Sequence, residues 1–393
     1  MRRNRSAMAG VASLPPDMLA NIHDRLRFLD RLSFAAVFPA SRAAFKPEAP
    51  WLVLPGGDNS ETATLFSLSD QCAAAACAPG PDQVILGSSS HGWLVTADAK
   101  ARLRLVNPVT AERRALPAIT TIPCLIESGF SFTMVQQKYF VKGPPYLGGG
   151  YHPSRATHTI RADLMRRFFY RKVVLSDSAA MLITVSRFGV PAFATAAGGV
   201  WRLAPSRYGV EDAIHHNGNF HSITYTGAVE AWELDPDAEG VFRSTVVAPR
   251  LLVLPTYADH RKYLVSASDG RLMVVLEESK ETWEGCCYRR KACSFKVHVL
   301  VGEQWKETDD IGESVLFVGV NGSLCVSTTQ HPELRAGCVY YTENDVGLCN
   351  DLHKHEQSGI GVYSLKDGTV EKVEGLGRHR SWPPPAWFIP FIP

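Results

Sequence analysis

From Trp51 onward the chain loses the three- and four-residue apolar spacing of a helix, and this restricts what it can fold into more than any other feature. Short runs rich in Val, Leu, Phe, Tyr and Trp alternate with Gly, Pro, Asn and Asp, the pattern of strands joined by tight turns. Residues 51–54, 65–68, 84–86, 93–95, 103–106 and 112–116 make a first group. A second group follows at 173–175, 181–185, 191–195 and 200–203, and a third at 213–216, 219–224, 228–234 and 244–247. Four dipeptides, His91-Gly92, Asn217-Gly218, Asp269-Gly270 and Asn321-Gly322, stand just before such runs. Pairs of this kind tolerate the positive φ of hairpin turns.

The last three of these glycines are 52 residues apart in each interval. About four strands per period of about 50 residues is the signature of a β-propeller blade, and the length after Trp51 holds about 5–7 of them. Residues 142–158, rich in Gly and Pro, and 281–292, rich in Cys and charge, interrupt the period and are expected to be surface loops. A ring of blades must close or leave strand edges unpaired. The late runs 359–365 and 369–373 are the candidates to pair with 51–54. The tail, Trp382-Pro383-Pro384-Pro385-Ala386-Trp387-Phe388-Ile389-Pro390, is too rich in proline for a central strand. It is expected to pack Trp387 and Phe388 on the ring, the alternative being recognition of the proline run by an aromatic groove.

The segment 13–47 is written differently. Met18, Leu19, Ile22, Leu26 and Leu29 form an apolar stripe along a helix, with Ser13 as its cap and prolines in its first turn. A second helix is expected from Asp30, and Pro39 breaks the chain before a last turn ending by Pro47. Three short helices of about 35 residues have too little core to stand alone, so the stripe must lie against something else.

At these residues the chain resembles an F-box. Leu14, Pro15, Asp17, Leu19, Ile22, Leu26, Asp30, Arg31, Leu32 and Arg42 match that family's pattern, while Phe38 and Ser41 stand where it usually carries Cys and Trp, with Pro39 between them. The part after Trp51 resembles the C-terminal domain of many plant, especially grass, F-box proteins, a domain likened to a kelch-type propeller. The residues that carry this are 87–94, 105–110, 212–220, Tyr263-Leu264-Val265, Trp305 with 316–319, Val339-Tyr340-Tyr341-Thr342 and the tryptophan-proline ending. Together the resemblances imply a non-catalytic substrate receptor of a Skp–cullin–F-box ubiquitin ligase. Leu14, Pro15, Leu19, Ile22, Leu26 and Leu32 would hold the Skp-type adaptor, through it the cullin, and the β domain would hold a target protein. The alternative is a propeller binding module with a vestigial helical cap, working without a ubiquitin-ligase role, for which an organelle is the alternative location.

Composition excludes several other classes. With 45% hydrophobic and 20% charged residues over 393, the chain is expected to be a soluble globular protein, mainly β. Its 41 basic residues nearly balance 39 acidic ones, which argues against a nucleic-acid partner. Local basic clusters at Arg161, Arg166, Arg167, Arg171 and Lys172, and again at 289–291, read as solvated loops or strand edges. No run approaches a membrane span. Nine irregularly spaced cysteines point to free thiols in a reducing compartment, cytoplasm or nucleus. Residues 1–12, basic at the start and free of acids, are expected to be a disordered terminus, or else the start of an organellar transit peptide.

No nucleophile elbow, P-loop, dinucleotide fingerprint or zincin motif occurs, and no cofactor or catalytic residue is nominated. Cys286, Cys287 and Cys293 with His298, the pair His353 and His355, and the group His215, His216 and His221 lack the spacing of a zinc site. The expected organisation is therefore 1–12 as terminus, 13–47 as F-box-like helices and 51–393 as the propeller-like domain.

Overall fold

The computed structural model describes residues 14–38, 41–42, 48–55, 62–76, 78–80, 83–89, 91–123, 125–134, 158–184, 190–206, 209–251, 260–284, 287–343, 359–377, 379 and 382–391. Two helices come first, α1 (Pro16–Arg25) and α2 (Phe28–Val37). Pro15 is the N-cap of α1, with Pro16 at N1, where a missing N–H costs nothing. The expected cap Ser13 lies outside the described residues. The second helix begins at Phe28, two residues before the expected Asp30, and Ser41-Arg42 adds a short 3-10 turn.

The rest is mainly antiparallel sheet wound into a ring. Blade 1 contains β1 (Trp51–Leu54), β2 (Thr64–Ser67) and β3 (Cys72–Ala75), and blade 2 contains β4 (Val84–Ser88), β5 (Leu94–Ala97), β6 (Leu103–Val106) and β7 (Arg113–Ala115). A three-stranded sheet, β8 (Leu125–Ser128), β9 (Ser131–Met134) and β10 (His158–Arg161), is inserted next, followed by helix α3 (Ala162–Phe168). Blade 3 is β11 (Tyr170–Leu175), β12 (Ala179–Thr184), β13 (Ala192–Thr195) and β14 (Arg202–Leu203). Blade 4 is β15 (Val210–His216), β16 (Asn219–Thr224), β17 (Val229–Leu234) and β18 (Phe242–Ala248), and blade 5 is β19 (His260–Ser266), β20 (Leu272–Glu284), β21 (Cys287–Val301) and β22 (Gln304–Thr308). Blade 6 has five strands, β23 (Ser314–Val318), β24 (Ser323–Ser327), β25 (Cys338–Thr342), β26 (Ile360–Ser364) and β27 (Val370–Lys372). The last strand, β28 (Ala386–Phe388), returns to blade 1.

Among the described residues the ring therefore has six blades, within the expected 5–7. Inner strands β28, β4, β11, β15 and β19 are neighbours in that order, and β24 follows β19. The β4 and β11 backbones approach so closely that a Cβ at Gly87 would collide with the Val173 carbonyl. The His91-Gly92, Asn217-Gly218 and Asp269-Gly270 turns join first and second strands in blades 2, 4 and 5. Gly92, Gly218 and Gly270 all take positive φ, as hairpin chemistry requires.

Three expectations are corrected. The Asn321-Gly322 turn is not equivalent to the others, because β24 turns back toward the axis and β23 then pairs in parallel with β25. Ring closure belongs neither to 359–365 nor to 369–373, which remain in blade 6 as β26 and β27. It is made by Ala386–Phe388, registered antiparallel on Trp51–Leu54. Prolines flank this short strand without entering it, so its own N–H groups stay available. Finally, the expected loop 281–292 is, over its described residues 281–284 and 287–292, the far end of the β20–β21 hairpin, whose register runs to Glu284↔Cys287 past a bulge at Glu278/Ser279. Most of the other insertion, 142–158, lies outside the described residues.

Apolar faces pack between blades. Trp201 joins the insertion to blade 3, its Nε1 donating to the Pro117 carbonyl at 2.9 Å. Phe193 of blade 3 stacks on Phe242 of blade 4 with centroids 4.2 Å apart and planes 13° off parallel. Trp387 of β28 is fully buried against Phe317 of blade 6.

Candidate functional site

Among the described residues, Leu32 and Arg31 of α2 join the helix pair to blade 1. Leu32 of α2, only 8% exposed, enters a cluster with Trp51, Val53, Leu65 and Phe388. Next to it Arg31 reaches Glu48 at 2.8 Å and Asp70 of the β2–β3 turn at 3.4 Å, and donates to the Leu26 carbonyl at 3.1 Å. His23 is buried under an edge-on contact with Phe34, their centroids 5.3 Å apart. Burial lowers its pKa, against a backbone hydrogen bond at Ser41 that raises it.

Burial pushes the Glu48 carboxyl up to about 7, since desolvation and nearby Asp70 outweigh the pull of Arg31. A carboxyl held above its unfolded value binds more protons when folded. The junction should therefore be strongest at low pH and weaken as pH rises from the ordinary Glu range through about 7. Relative to Glu48→Gln, native stability is expected to fall between pH 5 and 7 at up to about 1.4 kcal/mol per pH unit. Urea titrations across that range check it; a flat difference would mean that Arg31 keeps Glu48 ionised throughout.

The six residues singled out in the sequence divide into two sets. Leu19, 4% exposed, and Leu32 are buried within the protein. Leu14, Ile22 and Leu26 are half-buried, Pro15 is exposed, and Met18 is 51% exposed. What faces outward is the edge of α1 around Leu14, Pro15, Met18, Ile22 and Leu26, not the full stripe. The side chain of Leu29 lies outside the described residues.

A second constellation sits at the ring axis, and of its members the sequence marked only Arg171 and Lys172 for their charge, as part of a solvated basic cluster. Three successive inner strands carry like-charged pairs as their second and third residues: Arg171-Lys172 on β11, Glu211-Asp212 on β15 and Arg261-Lys262 on β19. Lys172 Nζ donates to Asp212 Oδ1 at 2.6 Å, and Asp212 Oδ2 accepts from the Leu264 N–H at 2.8 Å. Ser323 of β24 approaches the same oxygen to 3.4 Å, so one carboxylate links blades 3, 4, 5 and 6. Glu211 takes Lys262 Nζ at 2.8 Å and the Lys262 N–H at 3.2 Å. Arg171 is 3.8 Å from Glu211 and donates to the Tyr225 hydroxyl at 3.2 Å. Arg171 and Glu211 are the extra residues of β-bulges, which turn their side chains out of the regular alternation.

Lys172 is thus not solvated, because an ammonium that meets a buried carboxylate is removed from water by the ring itself, while Arg171 beside it keeps part of its side chain exposed. The signal was present as a like-charged dipeptide just before an apolar run, repeated three times. Among the described residues no group of three or more His, Cys, Asp and Glu is placed to hold a metal ion. His216 instead meets Ser266 Oγ at 2.8 Å, and His221 meets the Asn219 carbonyl at 3.4 Å.

A six-bladed ring with two helices docked on its closing blade defines a propeller protein with an N-terminal helical appendage. The family described as KIB1-4 beta-propeller matches residues 65–364, more than half of the chain, and the chain belongs to that family. It is 22% identical to the F-box protein SKIP23 of Arabidopsis thaliana over 419 aligned positions, covering 97% of this chain and 96% of that protein. It is 24% identical to the F-box protein At2g17036 of Arabidopsis thaliana over 236 positions, 54% of each chain. The resemblance to plant F-box proteins with a C-terminal propeller is borne out by these relatives.

Proposed function

We propose that this chain is the substrate-recognition subunit of a Skp–cullin–F-box ubiquitin ligase, itself without catalytic chemistry. The outward edge of α1 binds the Skp-type adaptor, through it the cullin, and the propeller binds a target protein in the cytoplasm or nucleus. The observation that carries this reading is the helix pair at 16–37, matching the F-box pattern and leaving Met18, Ile22 and Leu26 at its surface while Leu32 and Arg31 dock it on blade 1. An apolar strip beside a rigid ring can extend into an interface of standard size, about 800 Å² per partner. The end-to-end similarity to a protein named as an F-box protein supports the same assignment.

Ile22→Glu with Leu26→Glu is expected to abolish capture of a plant Skp-type adaptor by the full chain. Thermal unfolding of the propeller should stay within a few degrees of the parent, since neither side chain lies in its core. Undiminished capture would refute the assignment of this edge. The second reading, a vestigial cap on a free-standing binding module, is favoured by the burial of Leu19 and Leu32, which removes two of the six expected contacts from any partner.

A further inference from the structure

The charges at the ring axis do not balance. Arg171, Lys172, Arg261 and Lys262 face Glu211 and Asp212, and counting Glu277, the strand partner of Arg261, there are still more cations than carboxylates. Each carboxylate is already engaged: Asp212 by Lys172 and Leu264, Glu211 by Lys262, and Glu277 by the Tyr263 hydroxyl at 2.6 Å and Ser279 at 2.6 Å. Arg261 lies over the Tyr263 ring at 4.8 Å, and among the described residues no carboxylate oxygen is within 4.0 Å of it.

Arg171 is the most exposed of the three ion-paired cations of this set, its side chain 22% exposed against 11% for Lys262 and 5% for Lys172. Its guanidinium sits against Tyr225 of the β16–β17 turn, while its Nε is buried with no hydrogen-bond partner among the described residues. The hydrogen bond of the fork thus goes to an uncharged hydroxyl, and its 3.8 Å contact with Glu211 is too long to be one, so Arg171 keeps donor capacity for an oxyanion from solvent. Low-dielectric walls around a net positive cluster also concentrate its field at the opening.

We propose that the Arg171–Tyr225 corner of the propeller is an oxyanion site for an acidic peptide segment, with the guanidinium fork taking a side-chain carboxylate or a phosphate ester. This rests on the propeller's being the target-binding part of the protein. Binding there orients an acidic segment over the axis, and Lys172, Lys262 and Arg261 behind it supply field, not contacts. Charge-assisted bonds to an arginine fork are strong enough that losing the fork costs about tenfold or more in affinity.

The test uses the full chain and three fluorescein-labelled peptides: alternating Glu and Gly, the same with Gln, and the same with phosphoserine. Anisotropy is expected to show binding of the Glu or the phosphoserine peptide, whichever oxyanion the site prefers, and none of the Gln peptide. Binding to the wild type should weaken on raising salt from about 0.05 to 0.3 M. Arg171→Gln should weaken it at least about tenfold, whereas Arg113→Gln, on the exposed outer strand of blade 2, should not. Absence of binding by both acidic peptides, equal binding of the Gln peptide, or an unchanged affinity in Arg171→Gln overturns the proposal. Adaptor capture is measured on the same preparations. Lost capture with peptide binding intact strikes the ligase reading alone, and lost peptide binding with capture intact strikes only this site.

Discussion

Trp387→Ala should lower the unfolding free energy by about 3–5 kcal/mol, the cost of deleting a fully buried indole whose neighbours cannot collapse into the space. Trp387 is 0% exposed and meets Phe317 edge-on at 4.9 Å. Its Nε1 donates to the Val318 carbonyl at 2.9 Å, so the substitution also strands a buried acceptor. Asn321 holds the same residue through its backbone, donating to the Trp387 carbonyl at 2.7 Å and accepting from its N–H at 3.0 Å. These bonds tie the β23–β24 turn of blade 6 to the closing strand of blade 1. Asn321→Ala should therefore be non-additive with Trp387→Ala in a urea-denaturation cycle, since both break one clasp. Additive effects would mean that closure is spread over other contacts.

Asp212→Ala is expected to cost about 3–5 kcal/mol as well, for an electrostatic reason. It leaves Lys172 buried without its carboxylate and strips the Leu264 N–H of its acceptor. Burial already pulls the Lys172 ammonium below the ordinary lysine range, with Asp212 raising it back, so removing Asp212 favours the neutral amine. Adding Lys172→Met should recover most of the loss, because replacing both charges by apolar groups is often nearly neutral. Recovery should stop short by about 1–3 kcal/mol for the stranded N–H. Full recovery would show that the Leu264 bond contributes nothing, and no recovery would show that Lys172 is not the residue Asp212 serves.

Both predictions concern residues whose roles were not legible from local pattern. Ala386–Phe388 is three residues between prolines, and nothing in its spacing marks it as a strand; only its approach to Trp51–Leu54 supplies the partners that make it one. Asp212 and Lys172 are 40 residues apart, on strands that the ring brings side by side. The recurrence of 52 residues was partly accidental, because Asn321-Gly322 turns β24 toward the axis while Asn217-Gly218 and Asp269-Gly270 lead into second strands.

Much else was legible, since it depends on short-range chemistry. The apolar alternation after Trp51, the positive-φ turn residues and the helical spacing of Met18 to Leu26 are properties of neighbouring residues. They suffice to place a helical segment before a mainly β ring. Which face of α1 stays outside, how the ring closes and which charges meet at its axis depend on contacts between segments far apart in the chain. Those contacts are set by how distant segments pack, so the stripe that reads as one surface in sequence is split, with Leu19 buried and Met18 exposed.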